Sequence, residues 1–498
     1  MQTVLGIDLG TQSVKVVFYD FENRSVAATA SSPLALDQDA SGKAEQDPAS
    51  WLAALRKALS EISAATCNSV VAIGVSGQQH GLVALDHNGQ TLRPAKLWCD
   101  TTTRTEADAI MATVGGRERC ITISGNALVT GFTAPKILWL KQHEPERYAA
   151  MTDILLPHDY LNFILTSEKA MEYGDASGTG LLNIRSREWC RELIDALDDS
   201  RDIGECLPPL VSAGDFIGTT TAAAAEQFGL PTGIPVATGG GDNMMGAIGT
   251  GNVQTGRLTM SLGTSGTIYA HADEPIIDPK GDIAAFCGST GGWLPLLCTM
   301  NCTFATELMR APLSVSVAEF DAAIEPIAPG ADGVLVLPFF NGERTPNLPD
   351  GKGCVLGLDG GNSSRGHLLR ATVEGATFAL KYGIDELAGL GLAADEIVLT
   401  GGGANSAAWR QIVADITSLP VAVLDQNEGA GFGAALQALW ALERQQNSSQ
   451  TIAETSAPHI QYNDSQRATP DAARANSYAG VYQRYQRAVE KISPLFPL

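Results

Sequence analysis

The chain has 498 residues, 44% hydrophobic and 18% charged, a globular composition that excludes wholesale disorder. Its formal net charge of −22 repels polyanions and acidic lipid surfaces, so neither a nucleic-acid nor a membrane partner is expected. At roughly 100–200 residues per domain the length calls for more than one, and 52 glycines point to tight turns and close backbone approaches.

The first apolar run, 4–7, reads as a strand. It enters a turn, Asp8-Leu9-Gly10-Thr11-Gln12-Ser13, and a second strand at 14–18. No basic leader precedes it and no long apolar run occurs anywhere, so neither a secretory signal nor a spanning helix is expected. A helix is predicted at 48–64, with Asp47 as N-cap, Pro48 in the first turn, and Trp51, Leu52, Leu55, Leu59 and Ile62 at helical spacing. A buried strand at 70–75 runs into Ser76-Gly77-Gln78-Gln79-His80-Gly81. Residues 82–85 are predicted as its hairpin partner, closed by Asn88-Gly89.

The second half repeats this grammar. A strand at 258–260 leads into Ser261-Leu262-Gly263-Thr264-Ser265-Gly266 and a further strand at 267–270, so x-Leu-Gly-Thr stands between two apolar runs in both halves. Such an echo arises by chance or by duplication of a phosphate-binding hairpin. The glycine-rich stretch 239–256 marks the expected boundary. Then come a strand at 396–399, a turn through Gly401, Gly402 and Gly403, a helix at 407–417, a strand at 420–424 and a glycine-opened helix at 429–441. Residues 446–470 read as a polar loop, and 472–492 as a helix with Tyr478, Val481, Tyr482 and Tyr485 on one side. Strands alternating with helices in two halves give an α/β fold. The nine cysteines are scattered without a CxxC pair, the closest being Cys298 and Cys302, which predicts reduced thiols and a cytoplasmic location.

Several segments carry candidate chemistry. The Asp8 turn lacks P-loop spacing, but Gly10 lets backbone amides approach an oxyanion. Thr11 and Ser13 add hydroxyls and Lys15 a positive charge, while Asp8 suits Mg²⁺ held through water. Gly239-Gly240-Gly241-Asp242-Asn243 fits a backbone pressed against a ligand, with Asp242 as general base or metal ligand; a helix N-cap at Asp242 is the competing reading. The glycines at 401–403 suit either a nucleotide or close helix–sheet packing. At 429–434 packing is the better reading, because no acidic residue follows to hold a ribose. Gln78, Gln79 and His80 offer polar groups to hydroxyls, and Trp98 and Asp100 a flat wall beside a carboxylate; each also has a structural reading.

Taken together these segments resemble the FGGY carbohydrate kinases. Gly131-x-Thr133-x-x-Lys136-Ile137-x-Trp139-Leu140-x-Gln142-His143 is similar to the family's first signature. Gly353-x-Val355-x-Gly357-Leu358, followed after eight residues by His367-Leu368-x-x-Ala371-Thr372-Val373-Glu374, is similar to the second. Gly342-Glu343-Arg344-Thr345-Pro346 falls in the family's order, and the resemblance spans about residues 3–445. It implies two actin-like (ribonuclease H-like) domains around a central cleft, here 1–245 on the sugar side and 246–498 on the nucleotide side, with a helical tail at about 471–498. It implies ATP- and Mg²⁺-dependent phosphorylation of a sugar hydroxyl, and by family habit a homodimer. Ser76 to Gly81, Leu97-Trp98-x-Asp100 and Pro157-x-Asp159-Tyr160-Leu161 resemble most the members that phosphorylate D-xylulose at its 5-hydroxyl. Members acting on glycerol carry Asn-Gln-Arg-Glu where this chain has Gly77 to His80, and many D-xylulose members have Met at Gln79. By resemblance, Asp242 is the base and Asp8 the metal-side carboxylate, with Asp242 also near the metal. Gln79, His80, Trp98, Asp100, Asp242 and Asn243 then line the sugar, and Thr11, Ser13, Lys15, Gly263, Thr264, Gly402 and Gly403 line ATP. The competing expectations are a family member acting on ribulose, gluconate or another polyol, and an actin-like ATPase or sugar sensor.

Overall fold

The computed structural model describes residues 2–425 and 429–496. In the first sheet β1 (Thr3–Leu9), β2 (Ser13–Asp20) and β3 (Ser25–Pro33) form an antiparallel meander, and β4 (Val70–Gly77) and β5 (Pro235–Ala237) run parallel to β1. In the second, β6 (Gly256–Leu262), β7 (Gly266–Ala270) and β8 (Leu296–Thr299) repeat the meander, and β9 (Ala394–Thr400) and β10 (Val421–Val423) run parallel to β6. The spatial orders correspond, β3–β2–β1–β4–β5 and β8–β7–β6–β9–β10, with Phe216–Thr219 added as an outer strand beside β5. Burial explains the residue choice. Central β1 and β4 are covered on both faces and are almost wholly apolar, whereas edge strand β3 alternates exposed and half-buried positions. Registers match as well: Asp8 stands opposite Ser76, and Ser261 opposite Thr400, so the two echoing turns occupy equivalent corners.

Two helices interlock the halves. α1 (Asp242–Gly249) leaves the first sheet, and α2 (Gly429–Gln446) leaves the second. α2 lies on the first sheet: a Cβ at Gly6 would come 1.8 Å from the Gly431 carbonyl oxygen, and one at Gly74 2.0 Å from that of Ala434. It also meets α1, where a Cβ at Gly433 would lie 1.7 Å from the Met245 oxygen. Gly431 and Gly433 thus lie where backbone packs against backbone. In space, Phe432, Leu436 and Trp440 share a core with Val4 and Ala72, across the boundary read at 245/246.

Most expected elements form, including the helices Pro48–Ser60, capped by Asp47, and Ala472–Ile492, which buries Tyr478, Tyr482 and Tyr485. The hairpin expected at 82–85 is corrected. Both edges of β4 are taken by β1 and β5, so Val83–Leu85 pairs with Asp153–Leu155 instead, while the Asn88-Gly89 turn returns the chain to bridge Thr91 with Leu85. The polar stretch 446–470 holds a short helix, Ile452–Ser456, started by a Thr451/Glu454 capping box. All nine cysteines are free thiols. Among the described residues no helix is long and apolar enough to cross a membrane.

Candidate active site at the strand ends

Three chain segments end side by side at the carboxyl edge of the first sheet. Asp8 closes β1, Ser76 stands beside it on β4, and the short strand Gly240–Gly241 pairs with Ser76 and Gly77. Asp242 follows at once, so two carboxylates converge where ligands bind in open α/β sheets. The Ser76 hydroxyl donates to Asp8 at 2.9 Å. Gly241 is the N-cap of α1 and Asp242 its first residue, so the capping position goes to the glycine. The Asp242 carboxylate accepts from the Asn243 backbone N–H (2.8 Å) and side-chain amide (3.0 Å), at the positive end of the helix. Burial pushes the Asp242 carboxyl up to about 7, helped by the negative charges of Asp8 and Asp175. Burial raises Asp8 too, against Ser76 and Lys15. Two buried carboxylates that repel one another are a donor set that fits Mg²⁺, which takes one or two protein carboxylates and leaves its other positions to substrate phosphates and water. Among the described residues no group of three or more His, Cys, Asp or Glu side chains that could hold a metal ion occurs.

The residues that the resemblance assigns to the sugar lie alongside. The Asn243 amide donates to Gln79 Oε1 at 2.9 Å, joining Gln79, Asn243 and Asp242 in one chain. His80 takes φ +66, and its carbonyl is gripped by Thr133 Oγ1 (3.1 Å) and the buried Lys136 Nζ (2.7 Å). Its ring lies between Phe132 and Phe286, with Nδ1 buried and without a hydrogen-bond partner. Burial, with Lys136 and Arg344 adding to it, holds the imidazole well below its ordinary range, so the ring is neutral near pH 7. Trp98 Nε1 donates to Thr11 Oγ1, which donates to Gln78, both at 3.0 Å; this ties the wall to the first hairpin. Asp100 is placed differently from the sugar contact expected of it. It is fully buried, with Ala44 N and Lys96 Nζ on one oxygen and the Thr102 backbone and hydroxyl on the other, so both oxygens anchor its own segment.

On the nucleotide side the structure brings two glycine turns together. Gly263 and Thr264 form the tip between β6 and β7, their carbonyls tied to Thr303 and Cys302. Gly401, at φ +80, lies so close that a Cβ there would sit 2.7 Å from the Leu262 carbonyl and 2.9 Å from Gly263 N. A Cβ at Gly402 would meet nothing, so this turn offers an open backbone surface, while Gly403 packs on Leu262 and Trp409. On the first hairpin Gly10 N–H donates to Ser13 O, and Lys15 sits across the strand from Asp8, whose acidity it increases. Thr11 and Ser13 are half-buried at this tip. Arg344 belongs to the motif Gly342-Glu343-Arg344-Thr345-Pro346. It comes from the second half to lie over Trp98, 5.8 Å from the ring, and its charge acts on His80, Cys99 and Cys298. Lys136 lies within the first signature, and the Thr133–His143 helix carries it to the His80 carbonyl.

Comparison with known proteins places this geometry. The N-terminal domain of the FGGY family of carbohydrate kinases matches residues 3–249, and its C-terminal domain residues 258–442. A xylulose kinase from Haemophilus influenzae is 42% identical over 488 residues, covering 97% of this chain and 98% of that protein. One from Bacillus subtilis is 36% identical over 445 residues, 88% of each. A solved xyloylose kinase from Brucella ovis superposes with a TM-score of 0.91 at 30% identity, covering 99% of this chain and all of the other.

Proposed function

The chain belongs to the FGGY family of carbohydrate kinases, and from that premise we propose that it transfers the γ-phosphoryl group of ATP to the 5-hydroxyl of D-xylulose, giving D-xylulose 5-phosphate and ADP. The observation that carries the reading is Asp242 itself. It is a buried carboxylate beside Asp8, held by Asn243 and through it by Gln79, with neutral His80 in the next position. Such a group orients a sugar hydroxyl and takes its proton as the oxygen–phosphorus bond forms and the bond to ADP breaks. Gln79, His80 and Asn243 supply partners for the remaining hydroxyls, and Trp98 a flat wall. ATP lies along Thr11, Ser13 and Lys15 on one hairpin and Gly263, Thr264, Gly402 and Gly403 on the other. Asp8 and Asp242 would hold Mg²⁺ through water, and the ion would supply positive charge against the phosphoryl group in transfer. The sugar thus belongs to the part we assign to 1–245 and the adenosine to 246–498. Free thiols in a protein that uses ATP fit the cytoplasm.

A coupled ADP-release assay over a panel of ketoses and polyols tests this. The expected result is highest kcat/KM for D-xylulose, with the 5-phosphate as product. Preference for ribulose, gluconate or another polyol would move the substrate within the family. ADP release that ignores sugar would favour an ATPase or sensor.

A further inference from the structure

Away from the two hairpin tips, a cavity of about 280 Å³ opens where the halves of the chain meet. That is close to the roughly 300 Å³ at which small-molecule sites begin. The first half supplies Glu172, Tyr173 and Arg187 to its wall, the second half Thr290, and α2 Trp440 and Arg444. None of the residues assigned above to sugar, ATP or metal lies among the described residues of that wall. The cavity is nevertheless a close neighbour of the reacting centre. A Cβ at Gly240 would lie 2.5 Å from Ser289 Oγ and 3.4 Å from Glu172 Oε2, so this hydrogen-bonded pair packs against the short strand that leads into Asp242.

Three features of the wall point to a ligand. Glu172 is 1% exposed, and its oxygens differ: Oε2 accepts from Ser289 Oγ at 2.8 Å, while Oε1 is buried with no hydrogen-bond partner. An orphaned buried oxygen costs stability unless something completes it. Burial also pushes this carboxyl up to about 7, where it can donate to a hydroxyl as well as accept from one. Arg187 is the second feature. Its guanidinium lies over Trp293 at 4.5 Å and Tyr173 at 5.8 Å, and Nη2 donates to the Gly291 and Gly292 carbonyls. These anchors are neutral, and Nε is buried without a partner. The third is Arg444, which lies over Trp440 at 5.3 Å and whose ion pair with Asp215 is long, 3.9 Å. In a chain of net charge −22, a cavity walled by two guanidiniums and two aromatic residues stands out from its surroundings. Guanidiniums match phosphate and carboxylate groups, aromatic faces take a carbon skeleton, and Glu172 Oε1 with the Thr290 hydroxyl takes hydroxyl groups.

We propose that this cavity is a second binding site, for a sugar-sized oxyanion that carries hydroxyl groups, either a sugar phosphate or a sugar acid. Arg187 and Arg444 take the anionic group and Glu172 Oε1 a hydroxyl. The site draws on both halves and stands apart from the transfer reaction.

Calorimetric titration of the full chain tests this with D-ribose 5-phosphate, D-ribonate and uncharged D-ribose, run with D-xylulose and ADP at saturation so that the site at the strand ends is filled. At least one of the two anions should bind, one per chain, and D-ribose at least about tenfold more weakly. Arg444→Gln should weaken the bound anion about ten- to a hundredfold, as for loss of a charge-assisted hydrogen bond. Ser212→Trp, which sets an indole into the wall, should abolish binding. Binding of the phosphate alone assigns a sugar phosphate, and binding of the ribonate alone a sugar acid. Absence of binding by both anions overturns the proposal, as does D-ribose binding as tightly as they do. Anion binding that survives either substitution unchanged in folded protein overturns it too. So does binding seen only when D-xylulose and ADP are left out, because the anion then occupies the strand-end site. Should one variant fail to fold, the other carries the test.

Discussion

Where β1 turns into β2, Asp8 stands opposite Ser76 and two residues before Gly10; at the corresponding corner, where β6 turns into β7, Ser261 stands opposite Thr400 and two residues before Gly263. The backbone plan is shared, and the side chains diverge. The first corner holds a buried carboxylate, with Asp242 added beside it by the Gly240–Gly241 strand. The second holds a hydroxyl and is backed by a neutral glycine turn at 401–403. In a chain of net charge −22, carboxylates at both corners would crowd a triphosphate with like charge. A repeated frame thus supplies two glycine-tipped hairpins, while the buried carboxylates stand at only one of them.

The most severe way to break that division is at Asp242. Asp242→Asn keeps shape and hydrogen bonds but cannot take a proton, so kcat should fall about 10²–10⁴-fold with sugar and ATP binding within a few-fold. A near-normal single-turnover rate would remove Asp242 from catalysis. The corner comparison itself is tested by a pair of substitutions. Asp8→Asn should cost about a hundredfold in kcat/KM for Mg-ATP, and Ser261→Asn no more than about threefold. Equal damage from the two would show that the corners are not chemically distinct. At the sugar face, His80→Ala should lose roughly 5–150-fold in kcat/KM for the sugar and leave the KM for ATP unmoved. Unaffected sugar kinetics in a folded variant would return His80 to a packing role.

Milder effects are expected where both corners act alike. A Cβ at Gly10 would sit 3.4 Å from Ser13 O, and one at Gly263 3.2 Å from Ser265 O, so each hairpin accommodates a side chain with small adjustment while a bound phosphate would not. Gly10→Val and Gly263→Val should each weaken Mg-ATP binding by about tenfold in calorimetry, about 1.4 kcal/mol. Normal nucleotide affinity in both would end the two-cradle idea. The subtlest signal is in pH. Asp242, raised to about 7, is an active base only when deprotonated, so kcat/KM falls as pH drops through that value. Mg²⁺ favours the charged form, so raising Mg²⁺ should move this limb to lower pH. The limb should persist in His80→Ala and vanish in Asp242→Asn.

Local signals in the sequence carried a good part of this. Asp47 and Pro48 announced a helix start, the tyrosines at 478, 482 and 485 a buried face, and the x-Leu-Gly-Thr echo the two corners. What stayed hidden depends on neighbours remote in the chain. Whether Asp242 caps a helix turns on Gly241 taking that place, which local composition does not decide. Whether Asp100 faces a ligand depends on Lys96 and on Ala44, 56 residues away in the chain. Arg344 acts across segments that only the assembled fold brings together, and residues 82–85 found another partner because β4 had no free edge.

The interlocked helices bear on how the protein is made. α2 is encoded near the end of the chain, yet it covers β1 and β4, which leave the ribosome first. At ordinary elongation rates, about 5–20 residues per second, the face of the first sheet waits tens of seconds for its cover. The nascent amino-terminal half therefore carries an open apolar surface until residues 429–446 emerge. A chain cut short before Gly429 would leave the first sheet bare as well as removing the end of the second half.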